Sequence, residues 1–153
     1  MFCSLPLLND LEVTGHPLVT LQISSEFPDL QFFAYLEDIE CNGKINYVTE
    51  GMLKIVHRKI LEHKRLYETS YPWHSFKKED SANLETGKIT EVTFDLMPIS
   101  YLFKTSHSIR LSIATSDVDN FEMLPKNDIE LKIFHNLDFA SFIKLPVKSR
   151  PEF

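Results

Sequence analysis

Glycine and cysteine are scarce in this chain, with four and two among 153 residues, and that scarcity excludes several chemistries at once. Gly15, Gly43, Gly51 and Gly87 lie too far apart to build a GxxxxGK or GxGxxG loop, the backbone cradles that hold nucleotide phosphates. None sits in a GxSxG turn, which would lift a nucleophilic serine above a sheet. Cys3 and Cys41 form no CxxC pair and no HExxH occurs, so the usual zinc spacings are missing. Two separate thiols are the favoured reading of these cysteines, and a disulfide between them is the alternative.

Long apolar runs are missing as well. None approaches the ~20 residues that a membrane-spanning helix needs. Basic charge is thin: 16 Lys and Arg against 22 Asp and Glu give a formal net charge of −6. That balance argues against a nucleic-acid binder, which needs a concentrated basic surface for the phosphates. The pairs Lys64-Arg65 and Lys77-Lys78 read as solvated loop charges. The start, MFCSLPLLND, has no basic segment ahead of an apolar core, so it is not a signal peptide and the cytoplasm is the favoured compartment.

Helical periodicity is the last absence: no stretch of ten or more residues shows it. Alternation at a period of two, the mark of a half-buried strand, is there instead. It is clearest at 29–58, DLQFFAYLEDIECNGKINYVTEGMLKIVHR. Leu30, Phe32, Ala34 and Leu36 form an apolar face, and Gln31, Phe33, Tyr35 and Glu37 a mixed one. Asn42-Gly43 predicts a two-residue type I′ hairpin turn, since both positions accept positive φ. Gly51 is expected to separate the hairpin's second strand from a third at 52–58.

The same writing recurs along the chain. A short strand ending in a Gly-containing turn is expected within 11–17, and strands at 18–24, 88–96 and 99–103. Others follow around Ile109, Leu111 and Ile113, around Ile129, Leu131 and Ile133, and around Ile143, Leu145 and Val147. Each is apolar on one face and polar on the other, as in antiparallel sheets with one buried face. Eight to ten such strands predict an all-β sandwich of jelly-roll or immunoglobulin type. With no repeat and no linker, 1–153 reads as one domain. The least patterned stretch, 59–86, predicts one or two helical turns at 60–66 and then an excursion whose aromatics pack over a sheet edge.

Residue types that serve catalysis are present but scattered. His16 and His135 read as structural or surface residues, and His63 and His74 as exposed loop residues. His57 stands beside Arg58 as a charged pair at a sheet edge, and His107 is placed to hydrogen-bond a turn. Nothing selects a Ser/His/Asp triad from them. Carboxylates gather at Glu37, Asp38 and Glu40, and again at Asp117 and Asp119 beside Asn120. Acidic strand ends without metal are the favoured reading of the second group, and a calcium site the alternative. Trp73 is expected to cap the core, with stacking on a sugar ring as the alternative. No catalytic, cofactor-binding or metal-ligating residue is assigned.

Several stretches together resemble one family. They are LEVTGHP at 11–17, FFAYLED at 32–38, YVTEG at 47–51 leading to HRK at 57–59, and YPWHSF at 71–76. FDLMPISYLF at 94–103, HSIRLSIA at 107–114, DVDNF at 117–121 and IKLPV at 143–147 continue the match in order. This pattern resembles the C-terminal domain of X-Pro dipeptidyl-peptidases and of their relatives, the cocaine esterases and α-amino-acid ester hydrolases. Ser106 departs from it, standing where the pattern usually has glycine before His-x-Ile-Arg.

The resemblance implies a jelly roll of galactose-binding-like fold that follows an α/β-hydrolase domain. That preceding domain would carry the nucleophile, acid and histidine, so no catalytic residue falls on this chain and no cofactor is implied. The implied role is to pack on the catalytic domain, help wall its substrate pocket and support oligomer contacts, with a homodimer as one expectation. A lectin-like carbohydrate-binding module is the alternative, using Trp73 and neighbouring aromatics.

Overall fold

The computed structural model describes residues 1–61, 69–117 and 130–148. Among these, β1 (Phe2–Cys3), β2 (Leu11–Gly15), β3 (Leu18–Ser25), β4 (Gln31–Ile39) and β5 (Ile45–Lys54) come first. Then follow β6 (Thr90–Asp95), β7 (Ile99–Phe103), β8 (Ser108–Ala114), β9 (Leu131–Phe134) and β10 (Phe142–Lys144). The helical content of the described residues is two 3₁₀ turns, Ile55–His57 and Lys78–Asp80. One sheet runs β1-β8-β4-β5; the other runs β10-β3-β6, with β9 also on β3; β2 and β7 form a ribbon. All pairings are antiparallel.

The predicted sandwich is there, and its core is the set of residues that alternation selects. Phe32, Ala34 and Leu36 of β4 face Val19, Leu21 and Ile23 of β3 and Val92 and Phe94 of β6, all essentially inaccessible to water. Burying a side chain of this size contributes roughly 1.5–3 kcal/mol, so the periodic apolar face is what holds the two sheets together. Thr20 and Ser24 are buried as well, although alternation puts them on the wet face. β3 has neighbours along both edges, and Thr20 Oγ1 meets Thr93 Oγ1 at 2.9 Å across the strand pair.

The hairpin between β4 and β5 departs from its predicted form. Only Gly43 has positive φ, +86°, and Asn42 does not. The turn is closed by the Gly43 N–H on Glu40 O, and Glu40 N–H reaches Lys44 O, leaving a three-residue loop of Cys41, Asn42 and Gly43. Side chains explain the choice. Asn42 Oδ1 accepts the Lys44 N–H at 2.8 Å, and the Glu40 carboxylate gathers the amide groups of Asn42 and Asn46 and the Lys44 ammonium. These contacts hold Asn42 as an Asx turn, the alternative such residues offer the backbone.

Gly51 also corrects an expectation: it lies inside β5, which continues unbroken to Lys54. A Cβ there would stand 2.4 Å from Asp95 O and 2.8 Å from Leu96 Cδ2. Its bare Cα is what lets β5 of one sheet touch the end of β6 in the other. Met97 N–H donates to Glu50 O at 2.8 Å and Thr49 Oγ1 to Met97 O at 2.9 Å, so the sandwich is pinned shut along this margin. Past Lys54 the predicted third strand is the 3₁₀ turn Ile55–His57.

The remaining expected strands fall in place at 11–15, 18–25, 90–95, 99–103, 108–114, 131–134 and 142–144. Val147 adds a single bridge to Val13. Ile129 and the predicted helical turns from residue 62 onward lie outside the described residues, as do His63, Lys64, Arg65, Asp119 and Asn120.

Candidate functional site

β4 and β8 run side by side and bring together most of the chemistry-bearing residues noted in the sequence. Glu37 and Arg110 are register partners. Arg110 Nε donates to Glu37 Oε2 at 2.7 Å and Nη2 to Oε1 at 2.8 Å, and Ser112 Oγ donates to Oε2 at 2.6 Å. The forked donor matches the carboxylate, the geometry that makes such pairs strong. The Arg110 hydrogen bonds hold the Glu37 carboxyl below its ordinary range, against the opposing effect of burial and with help from Ser112.

The next residue, Asp38, points into the sandwich and is buried. Its Oδ1 and Oδ2 lie 2.9 and 3.0 Å from His107 Nδ1, and the Tyr101 hydroxyl donates to Oδ2 at 2.9 Å. Burial, and then the Asp38 contact, push the Tyr101 phenol up to about 12. Tyr35 donates to Asp117 Oδ2 at 3.0 Å and is likewise pushed to about 12, by burial first and Asp117 second. Asp38 thus ties β4 to β7 and to the β7–β8 turn. His107 does serve that turn, through a carboxylate partner that linear reasoning missed: 69 residues separate the two.

A second Asp–His contact joins the β2–β3 connection to the end of β6. His16 Nδ1 stands 3.0 Å from Asp95 Oδ2, and its ring lies 4.4 Å from that of Tyr71. Neither His16 nor His107 is hydrogen-bonded to a serine or threonine hydroxyl among the described residues. The Asp38–His107 pair is joined by the Tyr101 hydroxyl, and the His16 ring lies against that of Tyr71.

The 69–87 excursion is where the expectations for single residues fail most. His74, read as exposed, is buried: Nδ1 lies 3.2 Å from Lys59 O and Nε2 3.1 Å from Thr93 O, so the ring fastens the loop to the open edge of β6. Trp73, expected to cap the core, is 42% exposed. Arg58 does not pair with His57; its guanidinium donates to the carbonyls of Ile55, Ala82 and Asn83. The His57 ring sits 5.6 Å from Phe76, which is exposed and has φ +55°.

The alternative disulfide is not formed, and two of the three residues of the alternative calcium site, Asp119 and Asn120, lie outside the described residues. Cys3 and Cys41 are free, exposed thiols. Among the described residues no three of His, Cys, Asp and Glu gather as metal ligands. No helix among them is long and apolar enough to cross a membrane.

This is an antiparallel sandwich in which Glu37, Asp38 and Asp95 brace the fold through Arg110, His107, Tyr101 and His16. Comparison with known proteins gives it a family. The model of the X-Pro dipeptidyl-peptidase C-terminal non-catalytic domain matches residues 1–132, and the chain belongs to that family. A Mycobacterium tuberculosis protein named "Putative serine esterase" is 41% identical over 146 residues, 95% of this chain. The cocaine esterase of a Rhodococcus species is 25% identical over 116 residues, 76% of this chain and 17% of its own length. This chain spans 23% of the length of the mycobacterial relative.

Solved structures agree on the fold. A CocE/NonD family hydrolase from Staphylococcus aureus superposes with a TM-score of 0.80 at 21% identity, over 96% of this chain and 30% of that one. An α-amino acid ester hydrolase superposes at 0.74 with 16% identity, over 96% and 25%.

Proposed function

We propose that this domain, 1–153, serves a serine hydrolase of the dipeptidyl-peptidase or esterase type as a non-catalytic accessory unit. It packs on an α/β-hydrolase catalytic domain and helps wall the substrate pocket, with self-association through the same apolar surface when that domain is absent. The supporting observation is the match of nearly the whole chain to about a quarter of a longer protein. The histidines fit this reading, because those with carboxylate partners brace strands. The test has two arms. Purified chain is expected to show no turnover of X-Pro-anilides or simple esters; robust turnover abolished by a serine-directed inhibitor would overturn the reading. Mixed with the mycobacterial relative's protein lacking its own matching segment, the chain is expected to form a stoichiometric complex.

The 42% exposure of Trp73 favours a second reading, a carbohydrate-binding module, since aromatic rings at a surface stack on sugar rings. A glycan array with Trp73→Ala as control decides it: binding lost in the variant supports the module, and no binding at millimolar glycan removes it.

A further inference from the structure

The two margins of the sandwich differ. Along β5 and β6 the sheets are pinned by the Gly51 contact and the Glu50–Met97 and Thr49–Met97 hydrogen bonds. Along the other margin the edge strands are short: β1, two residues, on one sheet, and β10 and β9, three and four residues, one after the other along β3. There the sheets gape around a half-enclosed cavity of about 320 Å³. Its walls are Leu21, Ile109, Leu111, Ile143 and Leu145. Leu21, Ile109 and Leu111 belong to the buried core, so the opening leads inward and is no surface dimple.

The polar side chains at the rim are already engaged. Ser4 Oγ donates to Leu5 O and accepts the Ile109 N–H. Ser141 Oγ donates to Phe134 O and accepts the Gln22 N–H. Neither hydroxyl is needed by a guest, and a guest that wanted hydrogen bonds inside would lose those it had in water. Dry apolar cavities take apolar guests. The half-exposed rings of Phe2 and Phe142 stand at the mouth.

We propose that this cavity is a binding site for a medium-length alkyl or acyl chain, inserted tail-first between the two sheets with its head group left in water. The volume corresponds to about ten water-sized units of ~30 Å³, and a methylene is of similar bulk, so a tail of about eight to ten carbons fits. The site does not depend on the accessory-domain reading; it needs only the open margin.

The test is a titration of methyl-labelled protein with decanoate, below the concentration at which decanoate aggregates. Saturable NMR shifts are expected at the methyls of Leu21, Ile109, Leu111, Ile143 and Leu145, with Leu53 and Ile55 unmoved. The melting temperature is expected to rise by about 3–5 °C at a tenfold excess over Kd. Ile143→Phe fills the cavity and is expected to weaken binding at least ~tenfold, one decade being the smallest clear loss of site contacts. Leu145→Phe gives the same reading if that variant fails to fold. No saturable shift at the five residues overturns the site, as do shifts centred on the exposed Ile45 and Met52. Undiminished binding by a folded cavity-filled variant overturns it too.

Discussion

Ser106 holds φ +68°, the left-handed region, in the turn before β8. Its N–H donates to Leu7 O at 2.9 Å and that of His107 to Lys104 O, so the conformation is required by the turn. A residue with a Cβ costs about 1–2 kcal/mol in that region, and glycine does not. Ser106→Gly is therefore expected to stabilise the fold by about 0.5–1 kcal/mol after the added freedom of the unfolded chain is subtracted, measured as a raised urea midpoint with unchanged slope. The departure at Ser106 was legible in the sequence, and the structure places the serine in the left-handed region that glycine enters freely. The carboxylate partners of the neighbouring residues were not legible. Asp38–His107 and Glu37–Arg110 join strands more than sixty residues apart, and no local pattern encodes such pairs. Burial of two phenols and the Arg110 contact on Glu37 set the pH response. Tyr35 and Tyr101 keep their protons up to about 12 in the fold, against about 10 in an unfolded chain. Their contribution is fully present below pH 10 and is lost as pH rises through 12. Glu37 is depressed by Arg110, so its contribution is present above the ordinary carboxylate range and is lost as pH falls through the folded value. Denaturant titrations are expected to show a loss at both ends, with Tyr101→Phe flattening the alkaline one; an unchanged alkaline limb in that variant would show that the phenol contributes nothing.

The strands themselves were readable because β3, β4, β6 and β8 each carry enough alternating positions to fix both type and face. Gly51 was misread because a glycine in a strand pattern looks the same whether it ends the strand or admits a neighbour. What decides is the close approach of Asp95 O, a contact from the other sheet. Gly51→Ala must push β5 from β6 at the pinned margin, and a loss of ~2–3 kcal/mol is expected from overpacking against backbone, read in urea unfolding. A wild-type midpoint would mean that the margin can yield. His74 was misread for a related reason: it lies in a segment without periodicity, yet its ring joins Lys59 O to Thr93 O and covers the edge of β6. His74→Ala leaves those carbonyls without that partner, and faster limited proteolysis within 69–87 is expected, with β4 and β8 left intact.

At the scale of the whole molecule, alternation implied a sandwich and the resemblance named its type, but neither conveyed its asymmetry. β1 is too short to show a period, and the alternation of Ile143, Leu145 and Val147 that marked β10 does not show that the strand stops at Lys144, so the open margin has no signature in the sequence. The apolar surface of the rest is equally a property of the assembled fold. Phe76, Ile60 and Trp73 are half or more exposed or nearly so around the 3₁₀ turns, and Ile45, Tyr47 and Met52 are about half exposed along β5. Monomeric proteins seldom leave large apolar patches open to water, and Phe76 adds backbone strain at φ +55°, a cost that persists where surrounding structure imposes it. Two copies of the chain meeting through such a patch would hide it. Sedimentation equilibrium is therefore expected to show a mass rising above 17.8 kDa with concentration. Phe76→Ser with Trp73→Ser is expected to shift the apparent dissociation constant by tenfold or more if that patch is the contact, since aromatic anchors typically carry 1 kcal/mol or more each. If Tyr47→Ser with Met52→Ser has that effect instead, the outer face of β5 is the contact. A profile that stays monomeric at millimolar chain would mean that neither patch is large enough to drive association.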